Sequence, residues 1–202
     1  RVRNVRSLLG LTPHRLLAVG VSMTMFLSLS ACAASGDEPV GQNYVSGDGT
    51  VTEFDVLDRG EPIDFSGVTD LGETVTSDEY RGGVVVVNFW YASCPPCRME
   101  APDLQALNEE FANDEVQFLG VNLRDGADTS LTFAKKFGIS YPSIVDMDGQ
   151  VALAFTGTAS PAAVPTTVVL DRSGRPASRI VGLLEKSTLR ALIQTALVEG
   201  AQ

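Results

Sequence analysis

Apolar positions along this chain follow two rhythms, and together they outline a sheet flanked by helices. Val84–Trp90 is a near-continuous run of β-branched and aromatic residues, the pattern of a central strand covered on both faces. Residues 116–123 repeat it. Between the two runs, residues 95–112 carry Leu104, Leu107 and Phe111 at helical spacing. Pro102 inside this stretch is expected to kink the helix. A shorter helix is predicted over 130–137, ended by Gly138. A last one is predicted over 185–198, with Leu189, Leu192, Ile193 and Ala196 on one face. Residues 64–76 alternate weakly around Asp70-Leu71-Gly72 and suggest a hairpin. Ser143–Val145 and residues 151–155 flank the turn dipeptide Asp148-Gly149. Thr166–Leu170 and residues 177–181 form a second hairpin around Ser173-Gly174. Strand, helix, strand, helix, hairpin and closing helix predict an α/β fold with a central mixed sheet.

The first 32 residues follow neither rhythm. Arg1, Arg3, Arg6 and Arg15 make a basic start without acids, and an apolar run over 16–31 ends at Cys32. So short a run before a polar chain reads as an export signal, not a permanent span. Leu29-Ser30-Ala31-Cys32 resembles a bacterial lipobox. That resemblance implies cleavage before Cys32, a diacylglycerol on its thiol and an extracytoplasmic protein anchored to the cell membrane. A secretory signal that happens to contain a cysteine is the alternative. Residues 33–61 are polar and glycine-containing, and read as a flexible tether. The folded domain is then expected over 62–202, a length that suits one domain.

Charge narrows the partners. All 25 acidic residues follow Cys32, whereas four of the 15 basic ones precede it. So acidic a domain argues against nucleic-acid binding and against attraction to anionic lipid. Membrane attachment would therefore be covalent.

The chemistry rests on Cys94-Pro95-Pro96-Cys97. The other cysteine is Cys32, and His14 is the sole histidine. The four residues follow a buried strand at its carboxyl end, where open α/β sheets place their sites, and they begin a helix. There the first thiol meets the positive end of the helix dipole and unpaired N–H groups. That favours thiolate, the species that attacks a disulfide. Three readings compete. A structural zinc wants four Cys or His ligands, more than the domain supplies. A purely structural disulfide closing so short a loop would constrain the unfolded chain little. A redox dithiol is the preferred reading, with Cys94 attacking and Cys97, one turn inside and less exposed, resolving. No metal and no cofactor are expected.

The stretch from Asn88 to Pro102, with Trp90-Tyr91-Ala92-Ser93-Cys94-Pro95-Pro96-Cys97 at its centre, resembles the active-site segment of thioredoxin-like proteins of the exported TlpA/ResA type. Phe137-Gly138-Ile139, Tyr141-Pro142-Ser143-Ile144-Val145-Asp146 and Val164-Pro165-Thr166-Thr167 extend the likeness over about residues 62–200. More residues separate Ile139 from Pro165 than in plain thioredoxin, as in TlpA-type and peroxiredoxin relatives. The resemblance implies a thioredoxin-like fold with an N-terminal hairpin, an insertion before the proline, and a cis bond at Pro165 facing the disulfide. Val164 would offer backbone groups to an incoming peptide. Trp90, Pro95 and Pro96 would line the site. Glu100, on the face of Cys97, would manage a proton or meet the substrate; the plain alternative is a solvated carboxylate. Asn88 stands where plain thioredoxin has a buried aspartate, so any further proton acceptor must lie elsewhere.

The implied activity is thiol:disulfide exchange with exported proteins, apocytochrome c among the candidates, with a membrane redox partner to recycle the dithiol. A thiol peroxidase is the rival enzyme. It is disfavoured because Val87 and Tyr91 stand where a peroxiredoxin carries proline and threonine or serine. A metallochaperone or other non-enzymatic lipoprotein is a third reading, weakened by the lack of His or Met ligands at the pair.

Overall fold

The computed structural model describes residues 43–46, 49–157, 161 and 163–199. Cys32, the leader and the first part of the expected tether lie outside the described residues. Nine strands are present among the described residues: β1 Asn43–Ser46, β2 Gly49–Glu53, β3 Ser66–Val68, β4 Thr74–Thr76, β5 Val84–Trp90, β6 Val116–Asn122, β7 Ser143–Val145, β8 Thr166–Leu170 and β9 Pro176–Gly182. Seven of them form one sheet in the order β1-β2-β9-β8-β5-β6-β7, and β3 with β4 makes a separate hairpin. The helices are α1 Pro95–Glu110, α2 Ala127–Phe137, α3 Gln150–Ala154 and α4 Lys186–Glu199.

The β5 strand lies at the centre because its residues can be buried on both faces. It pairs in parallel with β6 and antiparallel with β8, and all seven of its residues are buried. Alternate side chains serve two cores. Val84 and Val86 pack with Leu104 and Leu107 of α1 and with Leu189 and Ile193 of α4. Val85, Val87 and Phe89 pack with Ile63, Val75, Val151 and Phe155 on the other side. The thioredoxin-like mixed sheet with helices about it is therefore present as expected.

Two details differ from expectation. First, β1 and β2 lie inside the stretch read as a tether over 33–61. The β2 strand pairs antiparallel with β9, from Gly49↔Gly182 to Glu53↔Ser178, and Val51 is buried in the core. The sheet thus begins ahead of Pro62, a correction to that boundary. Second, residues 151–155 are largely helical. Asp146 takes the first N–H groups of α3, with Oδ1 accepting from Val151 at 2.9 Å and Oδ2 from Ala152 at 2.8 Å, so the segment is capped as a helix. As expected, the helix after the cysteine pair, α1, runs on with Pro102 inside it. Gly138 ends α2 as expected, in the left-handed conformation at φ 73°.

Candidate active site

The route from β5 into α1 sets the geometry of the cysteine pair. Cys94 is the residue just before the helix, in extended conformation, and its sulfur accepts the N–H of Cys97 at 3.2 Å. Pro95 and Pro96 occupy the first two helical positions. Their missing N–H groups have no intrahelical acceptor to miss, and their fixed φ already suits a helix. Cys94 and Cys97 form a disulfide, with Cα atoms 5.3 Å apart. The N–H of Cys97 and the start of α1 are aimed at the Cys94 sulfur, an arrangement that favours a thiolate there.

The loop before the pair is pinned on both sides. Ala92 donates its N–H to Asp125 Oδ2 at 2.6 Å, and its carbonyl accepts from Arg98 Nη1 at 3.0 Å. Pro95 is exposed and Pro96 half-buried. The expected contrast between the thiols is absent in the disulfide form. Cys94 is 1% exposed and Cys97 3%, because both pack among Trp90, Ala101 and Phe133, with Tyr91 and Val164 against them. Position at the helix entrance, rather than exposure, distinguishes the two sulfurs.

Trp90 ends β5 beside the pair. Its Nε1 donates to Ser143 Oγ at 3.3 Å, and its ring lies 4.3 Å from that of Phe133. Gly120 makes room for this arrangement, since a Cβ there would come 2.9 Å from Trp90 Nε1 and 2.1 Å from Ser143 Oγ. A small pocket lies behind the inner sulfur, lined in part by Asn88, Trp90, Cys97, Tyr141 and Ser143. The Val164–Pro165 bond is cis. Val164 packs against the cluster that holds both cysteines, so the sheet brings together two segments far apart in sequence.

Glu100 is not a solvated carboxylate. It is 1% exposed, and its carboxyl is held from two other elements. Asn88 Nδ2 on β5 donates to Oε1 at 2.8 Å, and the N–H of Leu184 donates to Oε2 at 3.3 Å. Burial dominates these two bonds and pushes the carboxyl up to about 7. Tyr141 is raised as well, chiefly by burial and then by the charge of Glu100. Sequence reasoning marked Asn88 only as a departure from plain thioredoxin. Its partners were missed: Asn88 Nδ2 also donates to Thr167 Oγ1 at 3.0 Å, from the residue directly across on β8. A lone amide in a fully buried strand was the available signal, because buried polar groups are bonded. It could not name a partner 79 residues away.

Comparison with known proteins agrees with this geometry. Residues 60–175 match the model of the AhpC/TSA family. The thiol-disulfide oxidoreductase ResA of Geobacillus kaustophilus is 30% identical over 129 residues, 63% of this chain and 72% of that protein. The thiol:disulfide interchange protein HelX of Rhodobacter capsulatus is 32% identical over 122 residues, 60% of this chain and 65% of that protein. Among solved structures, a secreted thiol-disulfide isomerase from Corynebacterium glutamicum superposes with a TM-score of 0.68 at 29% identity, covering 83% of this chain and 97% of its own. A DsbF homologue from Corynebacterium diphtheriae gives 0.64 at 28% identity, covering 79% and 97%.

Proposed function

The chain belongs to the AhpC/TSA family and is a thiol:disulfide oxidoreductase of the ResA type; from that premise we propose that it works outside the cytoplasm, held at the cell membrane by lipid on Cys32. The observation that carries the reading is the placement of the pair: a Cys94–Cys97 disulfide at the entrance of α1, with a buried carboxyl one turn behind it. In this reading residues 1–32 are the lipoprotein signal, and the chain between Cys32 and β1 links lipid to sheet.

The reaction runs in two exchanges. In the reduced protein, the Cys94 thiolate attacks one sulfur of a client disulfide and expels the other as a thiol. Cys97 then loses its proton and attacks Cys94 in the mixed disulfide, which frees the second client thiol and closes Cys94–Cys97. Two electrons and the proton of Cys97 have passed to the client, whose second thiol takes its proton from solvent because Cys94 began as the thiolate. In this reading Glu100, three residues on from Cys97, buried and titrating at about 7, takes the Cys97 proton. Val164 and Pro165 flank the site where the client backbone lies, in the manner of a peptide added beside a strand. Trp90, Pro95 and Pro96 form its near walls. A membrane redox partner returns the two electrons. Direction in the cell follows the reduction potential of the pair against that of its surroundings. Exported proteins with paired cysteines are the clients, apocytochrome c foremost.

Replacing the resolving thiol tests the reading. Cys97→Ser should accumulate covalent adducts with exported proteins that vanish on addition of dithiothreitol, and Cys94→Ser should accumulate none. Apocytochrome c among the adducts would place the enzyme in cytochrome maturation. Absence of any adduct from Cys97→Ser would overturn the exchange mechanism. Labelling with radioactive palmitate that persists in Cys32→Ala would overturn the anchor.

A further inference from the structure

The basic residues of this acidic domain are distributed unevenly. Arg59, Arg81, Arg172, Arg175 and Arg190 each form a salt bridge with a carboxylate. Around the disulfide the cations are arranged differently. Arg98, Arg124, Lys135 and Lys136 form no salt bridge with any described residue. Three of them rest on aromatic rings instead. Arg124 lies 4.2 Å over Tyr91, and Arg98 and Lys136 lie 5.4 and 5.6 Å over Phe137. Stacking on a ring orders a cation without neutralising it. The rings belong to the layer that packs on both cysteines.

The placement is local to the reactive sulfurs. Arg98 follows Cys97 directly, Lys135 and Lys136 lie in the last turn of α2, and Arg124 lies in the loop between β6 and α2. Arg124, Lys135 and Lys136 are exposed. The carboxylate next to Arg124 forms no salt bridge with it; Asp125 Oδ2 accepts instead from the N–H of Ala92 and from Asn122 Nδ2. Asp128 stands at the other end of α2.

We propose that this rim of cations on an aromatic floor is the docking surface for a protein partner that carries a carboxylate-rich segment beside its own cysteines. The proposal rests on the exchange reading above and names the partner's charge. A protein is favoured over an anionic membrane because the rings beneath the cations pack on a disulfide, whose reaction needs a second sulfur. The rest of the domain, net acidic, repels such a partner and so favours its approach at this cationic rim.

Two synthetic peptides test it, each with the same intramolecular disulfide, flanked by a run of glutamates or by a run of glutamines. The full chain with Cys32→Ala is reduced, freed of reductant and mixed with each. Two electrons pass from Cys94 and Cys97 to the peptide disulfide, and free peptide thiols report the rate. The acidic peptide should react about tenfold faster at low salt. The ratio should approach one at about 1 M salt, where the screening length is about 3 Å. Lys136→Glu and Arg124→Gln should each lower the ratio, whereas Lys186→Glu on α4 should leave it. Equal rates for the two peptides overturn the docking inference and leave the exchange reading standing. No reduction of either peptide overturns both. Sedimentation with phosphatidylglycerol vesicles that is lost in Lys136→Glu, with equal peptide rates, assigns the rim to lipid and overturns the protein partner.

Discussion

Asn88 and Glu100 meet at 2.8 Å, amide nitrogen to carboxyl oxygen, between the central strand and the helix that carries the cysteines. The contact couples the floor of the sheet to the redox pair. Among the described residues no cation is salt-bridged to Glu100, so burial outweighs its hydrogen bonds and the carboxyl titrates at about 7. Two N–H donors fix its position without making it a permanent anion.

The stability of the oxidised protein should therefore fall with pH through the window that Glu100 defines. Below about 4.5 the carboxyl is protonated in both folded and unfolded chains, and there is no difference. Between there and about 7 the unfolded chain releases the proton while the folded one keeps it. Folding then binds more protons than unfolding, so stability declines as pH rises, by about 3 kcal/mol in all at 1.36 kcal/mol per unit. Glu100→Gln should flatten this decline. Chemical denaturation at a series of pH values checks it, and a decline of unchanged slope in the variant would remove Glu100 as its source.

Asn88→Asp should place two carboxyls at hydrogen-bonding distance in a buried site. Like charges so close do not both ionise, so one keeps its proton at higher pH than before. The variant should lose little stability at pH 4, where the pair can share protons, and about 3 kcal/mol or more at pH 8. Equal losses at both pH values, measured in urea, would mean that Asn88 serves packing alone.

Sequence legibility followed the length and regularity of each element. Val84–Trp90 and the helix after it were clear because seven buried residues and a helical repeat leave little ambiguity. The pair at the helix entrance followed from those two elements. The β1–β2 ribbon was hidden because its stretch is largely polar, and Val51 is its one core residue among those whose burial is described. Its strand character comes from pairing with β9, more than 120 residues away, which no local pattern records. The segment over 151–155 is too short for periodicity to separate strand from helix; the carboxylate of Asp146 decides it. Cys97 and Glu100 were legible as a helical pair, but the burial of Glu100 was not. It depends on Asn88, Thr167 and Leu184, which converge only in the folded chain.

Gly120→Ala tests how the tryptophan is seated. The new Cβ would lie 3.0 Å from Ser143 Cβ and closer still to its hydroxyl and to the indole nitrogen. Neither strand can give way, because Gly120 and Ser143 are paired across β6 and β7. Overpacking of this kind costs about 1–3 kcal/mol. Ser143→Gly in the same chain should restore part of the loss, since it removes the nearest obstacle. Thermal melts give the energies, and the fluorescence of Trp90, the sole tryptophan, should shift in the single variant. An additive double variant would place the strain elsewhere.

A chain begun at Pro62 should be less stable than one begun at Gly41, although a tether over 33–61 would predict no difference. The shorter chain loses β2, which covers the edge of β9 and buries Val51. Burying such a side chain is worth about 1.5–3 kcal/mol. It also loses Arg59, whose guanidinium is 3% exposed and bridges Asp171 at 3.1 Å and Glu199 of α4. Removing one partner of a buried pair costs about 3–5 kcal/mol when the other is left without charge compensation. Here Arg175 still reaches Asp171 at 3.3 Å, so the loss from that pair should fall at or below the lower end. The two effects together predict a deficit of about 1.5–6 kcal/mol in urea denaturation of the oxidised proteins. Arg59→Gln in the longer chain should reproduce part of it and Val51→Ala another part. Coincident unfolding curves for the two chain lengths would mean that β1 and β2 add nothing to the fold, and that the domain begins at Pro62 after all.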